Sequence, residues 1–330
     1  MEEIAPSRTA EGWDNVGLLV EPRRDAKVEH IFLTNDLTEE VLEEALQLRG
    51  KRVGLVISYH PPLFSPLKRL TQRSSKERIL LKAIEAGVAI YSPHTAHDNL
   101  TGGVNDWLVS GLGEGKVIPL SVQQLAPGYP HLVTIRGVDG TEGFAALSDI
   151  VARERCGEVT SEGTDAVVLS NDRGLCSLLP AIKEKFPGNQ ITISATPKVL
   201  SSGSGRLLTL SQPASLSTMV ERVKQHLQLA HVRLATSQSC KEHLITTVAV
   251  CAGSGDSVLQ ATSADLLLAG EMTHHRVLEA VSKGSCVILC DHSNTERGFL
   301  REFKEMLHKT LHSGVEVSVS LMDKDPLCVV

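Results

Sequence analysis

The sequence is poor in the features that mark several large classes of protein. Aromatic residues make up 3% of its 330 positions and the formal net charge is -6. It therefore has few stacking platforms and no basic footprint, which disfavours direct nucleic-acid binding. No apolar run reaches the length of a membrane span. The opening MEEIAPSRTAEG lacks the basic start of a secretory signal and the Arg-rich, acid-poor make-up of a transit peptide. These absences predict a soluble, cytoplasmic chain with no membrane partner. Cysteine is present seven times but in no Cys-x-x-Cys pair. Cys156, Cys176, Cys251, Cys286 and Cys290 sit in or beside apolar stretches, which reads as buried thiols in a reducing compartment rather than disulfides or a zinc-thiolate site.

What is present describes an ordinary globular protein. The hydrophobic fraction of 42% suffices for burial, and the 22% of charged residues are mixed in sign. A chain of this length predicts two domains, or one domain with an insertion. Residues 31–120 alternate strand and helix. IFLTND is a strand, TEEVLEEALQLRG a helix with Thr38 as N-cap and Gly50 as stop, and VGLVIS a strand. SSKERILLKAIEAGV then places Ile79, Leu80, Ala83 and Ile84 on one helical face before the strand VAIYS. This βαβ order implies parallel pairing. Residues 129–200 read strand-helix-strand-strand-helix-strand, the order of a ferredoxin-like unit. SSGSG at 201–205 reads as a flexible junction, after which the α/β pattern resumes as far as Cys290.

Polar chemistry collects at the ends of the apolar strands. VGLVIS ends in Tyr59-His60, VAIYS in Pro93-His94-Thr95-Ala96-His97-Asp98, ADLLLAG in Glu271-Met272-Thr273-His274-His275, and Cys286-Val287-Ile288-Leu289 in the stretch CDHSNTERGF. Six of the thirteen histidines fall in these clusters. In open α/β sheets the carboxyl ends of the strands are where ligands bind, so the clusters point to one shared site. His292 and Glu296 stand four apart, a ligand spacing if a helix begins by Ser293. The bland alternative is a strand-to-helix turn in which Asn294 or Thr295 is the cap. Histidines with carboxylates and no thiolate suit a divalent zinc, manganese, iron or nickel ion, at one or two positions. His94, His274 and His275 are candidate proton shuttles, although His94 could merely orient a turn and His274 and His275 could merely open a helix capped by Thr273. CAGSGDSVL could cradle a phosphate at a helix N-terminus, but it lacks the Walker lysine and reads rather as a tight turn. KRLTQRSSKER reads as a solvated loop and helix start, with a basic lid over an anionic substrate as the alternative.

The stretches WDNVGLLVEP, TNDLTEEV, ISYHPPLF, SPHTAHDNLTGGVNDWL, GEMTHHRVLEA and DHSNTERGFL resemble, in that order, motifs of the NIF-three-like family in its vertebrate form. The resemblance covers essentially the whole chain. It implies a two-lobed α/β core with mainly parallel sheets flanked by helices, split as 1–125 and 204–330 around a ferredoxin-like α+β insertion at 126–203. It further implies a homo-oligomer and, from bacterial members, a two-metal centre. By matching positions, His60, Asp98, His292 and Glu296 are the metal ligands. Where the family has a paired histidine this chain has Tyr59, and a phenol is a poor ligand unless a strong Lewis acid deprotonates it; His97 is a spatial substitute to be tested. Two functions follow from the resemblance. One is an interaction partner of transcription-regulatory proteins, of corepressor type, in cytoplasm and nucleus, built on a hydrolase-like scaffold. The other is an active metal-dependent hydrolase of cyclohydrolase or phosphoester type.

Overall fold

The structure is a computed structural model that describes every residue except 3, 23–26, 51, 125–128, 139, 155–156, 158, 197, 239–242 and 312–313. The chain opens with strands β1 (Gly17–Val20) and β2 (His30–Thr34). Helix α1 (Glu39–Gln47) begins where the Val41 N–H donates to the Thr38 hydroxyl, and Glu39 and Glu40 in its first turn favour the positive end of the helix dipole. Strand β3 (Leu55–Ser58) precedes α2 (Ser75–Ala86), which Ser74 caps and Gly87 ends at φ 66°, a left-handed position suited to glycine. Next come β4 (Ala89–Ser92), the short helices α3 (Thr95–Asn99) and α4 (Val104–Ser110), and β5 (Gly115–Gln124). The middle of the chain forms β6 (His131–Ile135), α5 (Gly140–Glu154), β7 (Val159–Glu162), β8 (Asp165–Ser170), α6 (Asp172–Lys185) and β9 (Ile191–Ala195). The remainder is β10 (Lys198–Ala214), α7 (Leu216–Leu227), β11 (Arg233–Ala235), β12 (Ile245–Ser254), α8 (Asp256–Leu259), β13 (Leu266–Glu271), α9 (His274–Ser282), β14 (Cys286–Leu289), α10 (Phe299–Thr310) and β15 (Glu316–Val319).

These elements divide into two compact units, Met1–Val122 with Leu200–Val330, and Gln123–Val199. The first unit holds a five-stranded sheet in the order β1-β4-β3-β2-β15 and a six-stranded sheet in the order β11-β14-β13-β12-β10-β5. Strands β15, β2, β3 and β4 run parallel, as do β12, β13 and β14. Every residue of β2 is buried, as expected of a parallel strand covered on both faces. Phe32 packs with Val41, Leu42, Leu80 and Ala83 of α1 and α2, whereas Ile31 and Leu33 join Phe303 and Leu307 of α10 on the opposite face. Each of these Phe, Ile, Leu and Val side chains contributes about 1.5–3 kcal/mol by leaving water. The second unit is a four-stranded antiparallel sheet in the order β7-β8-β6-β9, with Val133, Ile135, Leu147, Val168 and Leu178 in its core. That is the ferredoxin-like arrangement.

Three expectations fail. SSGSG is not a flexible junction but lies inside β10. Gly205 has φ 61°, and a Cβ there would come within 2.7 Å of Val258 and 2.9 Å of the Val250 carbonyl. Beside it the buried Arg206 guanidinium donates to the Gly203, Gly205 and Leu100 carbonyls and to both Asp106 oxygens. The glycine therefore serves close approach, not freedom. Ile84, expected on the buried face of α2, is exposed at its margin. The cysteine reading fails at two positions, since Cys286 is disulfide-bonded rather than a free thiol and Cys176 is exposed rather than buried; Cys251 and Cys290 are free and buried, and Cys328 is free. Cys156 lies outside the described residues.

Candidate metal centre

The ends of β2, β3, β13 and β14 supply the centre. Beyond β2 and β3 the ladder continues for two residues, with the Tyr59 N–H donating to the Thr34 carbonyl and the His60 N–H to that of Asn35. This pairing fixes the His60 backbone. The His60 Nδ1 lies 2.9 Å from Asp36 Oδ1 and its Nε2 lies 3.4 Å from Glu296 Oε2. His292, which follows β14, repeats the pattern: Nδ1 is 2.9 Å from Glu271 Oε1 and Nε2 is 3.3 Å from Glu296 Oε1. The Asn35 side-chain amide donates to Glu296 Oε2 at 3.1 Å.

One ligand atom from each of His60, His292 and Glu296 lies within 4.8 Å of the other two, so this group could hold a metal ion. Two further observations fit. A carboxylate on each Nδ1 fixes the tautomer that presents Nε2 as ligand, the support that metal-binding imidazoles normally have. Beside them stands Gly253, at φ 62°, where a Cβ would lie 2.6 Å from Glu296 Oε1 and 2.8 Å from His292 Nε2. Two imidazoles and one carboxylate suit zinc and other borderline divalent ions.

Without an ion the three groups stabilise one another's charges. Burial alone would raise the Glu296 carboxyl, but hydrogen bonds from His292 and His60 hold it down at about 2. Burial would lower His60, yet its bonds to Asp36 and Glu296 raise it to about 10. The hydrogen bond to Glu296 raises His292 to about 9, against the effect of burial. A buried carboxylate thus sits between two imidazolium rings, and an ion entering the group must displace their protons.

The Tyr59 hydroxyl donates to Asp98 Oδ1. Burial, then the Asp98 charge, raises Tyr59 well above the ordinary phenol value, so without an ion it is a neutral donor to Asp98. Burial likewise raises Asp98, which the Tyr59 hydrogen bond only partly offsets, to about 6. Asp98 faces the same cavity as His292 and Glu296. His94 also lines it, with its ring centroid 5.3 Å from that of His60 and 5.6 Å from that of Tyr59. Its Nδ1 is 2.8 Å from Asp14 Oδ1, and Asp14 also accepts from the Thr95 N–H and hydroxyl. His94 has φ 29° and ψ -117°, a strained backbone of the kind that persists where the surroundings enforce it.

Other candidates stand elsewhere. His97 is buried with its ring centroid 5.4 Å from Phe299 and 4.4 Å from Phe303, and burial lowers it to about 3. It packs into the aromatic core and does not replace the imidazole missing at Tyr59. His274 and His275 open α9, exposed and in ring contact with each other at 5.6 Å, and neither is part of the cavity wall. The helix expected from Ser293 is a 3-10 turn, Ser293–Thr295, with α10 starting only at Phe299. Neither Asn294 nor Thr295 caps it: Asn294 donates to the Cys290 carbonyl, and Thr295 donates to the His292 carbonyl while accepting from the Gly253 N–H. That last bond ties the glycine cradle to the ligand turn. Lys68 and Arg69 line a neighbouring groove of about 910 Å³ with Phe64, Leu67, Leu70 and Trp13, the last shared with the cavity beside the centre, and Arg78 pairs with Glu39. None of the basic residues of this stretch lines the cavity beside the centre.

Asn35, Asp36, Asp14 and Gly253 join the site without being singled out by the sequence, and Glu271, named there only as part of a cluster, joins it as the partner of His292. Asp36, Glu271 and Asp14 stand at strand ends or beside them, within the motif stretches, and an acid there was the available signal.

A family model described as Duf34/NIF3 (NGG1p interacting factor 3) matches residues 1–326. NIF3-like protein 1 of Rattus norvegicus is 44% identical over 348 residues, spanning 100% of this chain and 91% of that protein. NGG1-interacting factor 3 of Saccharomyces cerevisiae is 32% identical over 330 residues, spanning 96% of this chain and 90% of that protein. A Bacillus cereus protein related to NIF3 superposes with a TM-score of 0.67 at 23% identity, covering 100% of this chain and 96% of that one. The chain belongs to the Duf34/NIF3 family.

Proposed function

We propose that this protein is a metal-dependent hydrolase in which a single divalent ion is held by His60, His292 and Glu296. The observation that carries this reading is the pair of carboxylate-supported imidazoles converging on one buried carboxylate. Three protein ligands leave a coordination position open, the mark of catalytic rather than structural sites. An ion bound there would supply Lewis acidity and would lower the pKa of water towards neutrality. The chain's own residues do the rest. Asp36 and Glu271 hold the two imidazoles in the ligating tautomer, and Asn35 orients Glu296. His94 is steered by Asp14 through Nδ1, which leaves Nε2 to exchange a proton in the cavity. Asp98, held by the Tyr59 hydroxyl, is a second acceptor in the same wall. The tyrosine takes the place of the imidazole that a second ion would need. Replacing Glu296 by Gln should abolish turnover of phosphoester and cyclic C–N substrates while circular dichroism and assembly stay unchanged; undiminished turnover would sink the assignment.

A second reading is supported by the yeast relative, whose name is that of an NGG1-interacting factor. In it the chain is a homo-oligomeric partner of transcription-regulatory proteins, of corepressor type, in cytoplasm and nucleus. The groove with the exposed side chains Trp13, Phe64, Leu67 and Leu70 offers apolar contact area for such a partner. Here Glu296→Gln should leave capture of an NGG1-like adaptor intact, and a loss of capture would count against this reading.

A further inference from the structure

The cavity beside the centre has a volume of about 480 Å³, within the range of small-molecule sites. Its wall is unusual for a site that handles phosphate. Among the described residues no Lys or Arg lines it, whereas Glu11, Asp98 and Glu296 do. The nearby cations are committed elsewhere. Arg297 turns to Asp323, Asp36 and Ser293, and Arg206 is spent on Asp106 and three carbonyls. Lys68 and Arg69 line the adjoining groove, which shares Trp13 with this cavity, and neither lines the cavity itself.

A dication on the centre would face these three carboxylates, so the loaded cavity holds no surplus positive charge for a phosphate. Sites that bind or transfer phosphoryl groups normally supply Arg or Lys clamps besides the ion. In their place the wall offers four hydroxyls, Ser121, Ser204, Ser254 and Ser257, with no side-chain hydrogen bond among the described residues, and the ring of Trp13. Trp13 is 64% exposed and stands 6.1 Å from His94, centroid to centroid. Hydroxyls give and accept hydrogen bonds without charge, and an exposed indole face stacks on a planar ring.

From this wall we infer that the cavity takes an uncharged, planar, hydrogen-bonding heterocycle, of nucleobase or nucleoside character, and excludes its phosphorylated forms. The inference rests on the hydrolase reading and narrows it towards C–N substrates and away from phosphoesters.

The test compares uridine and inosine with their 5′-monophosphates by isothermal titration calorimetry, on the full chain with and without zinc. At least one nucleoside should bind, and its monophosphate should bind about tenfold more weakly or not at all. Trp13→Ala, a surface change that should not disturb folding, should weaken nucleoside binding by about tenfold. A monophosphate that binds as tightly as its nucleoside would overturn the proposal, as would an unchanged affinity in Trp13→Ala. Failure of both ligands to bind a chain carrying one zinc would overturn the ligand class and leave the metal centre standing. Failure of zinc itself to bind would count against the hydrolase reading, and the nucleoside preference would still be decided on the metal-free chain.

Discussion

Replacing Gly253 by alanine should empty the metal centre without unfolding the chain. The added methyl would stand 2.6 Å from Glu296 Oε1 and 2.8 Å from His292 Nε2, closer than real Cβ contacts allow. Glu296 cannot swing aside freely, because it is buried and its other oxygen accepts from Asn35. The backbone at Gly253 has φ 62°, so alanine also costs about 1–2 kcal/mol of left-handed strain. Gly102→Ala separates the two effects. Its φ is 77° and a Cβ there meets nothing within 4 Å, so it carries the strain without the obstruction. Changes that merely disturb the support of metal ligands cost about 10- to 100-fold in affinity. Filling the cradle should reach at least the upper end, about 100-fold, or about 2.8 kcal/mol at 1.4 kcal/mol per tenfold. Zinc affinity is read by competition with a chromophoric chelator, and stability by thermal melting of the metal-free forms. Zinc affinity of Gly253→Ala within about threefold of wild type, or an equal loss in Gly102→Ala, would refute the geometry.

Three further outcomes follow from the same triad. With His60 and His292 raised to about 10 and 9, both rings are protonated at pH 7 without an ion, so zinc binding should release about two protons; calorimetry in buffers of different ionisation enthalpy counts them, and a release near zero would show that the rings are already neutral. Because these folded values lie above the unfolded histidine value of about 6.5, while Glu296 is held down at about 2 from an ordinary 4.5, the triad's contribution to metal-free stability is complete between about pH 4.5 and 6.5; it is lost as pH rises through about 9 and 10 and, at the acid end, as pH falls through about 2. Urea melts across that window should show the decline, and Glu296→Gln should flatten it; a variant as pH-dependent as wild type would contradict the coupling. Asp36→Asn and Glu271→Gln should each weaken zinc binding by about 10- to 100-fold, and unchanged affinity in both would remove their role in orienting the rings.

Much of the architecture is written locally. Thr38 and Ser74 announce their helices, the run HIFLT announces a doubly covered strand, and the strand-helix order of residues 129–200 announces its own antiparallel sheet. What is not local is also not legible. Strand β15 completes the first sheet beside β2 across almost the whole chain, and SSGSG looks free until Arg206 and Val258 are seen packed against it. The centre divides in the same way. His60, His292 and Glu296 are marked by type and position after apolar strands, whereas the acids that orient them come from the ends of other strands, so their pairing exists only in the fold. The histidine clusters also mislead: His97 and Asp98 are adjacent in sequence, but one turns into the phenylalanines and the other into the cavity.

The central claim is that His60, His292 and Glu296 hold one ion, with Tyr59 keeping a second from forming. Elemental analysis of protein purified without an affinity tag or chelator tests it most directly, on wild type, Glu296→Gln and Tyr59→His. One divalent ion per chain in wild type, none in Glu296→Gln and more than one in Tyr59→His is the predicted result. No ion in wild type, or two, would contradict it.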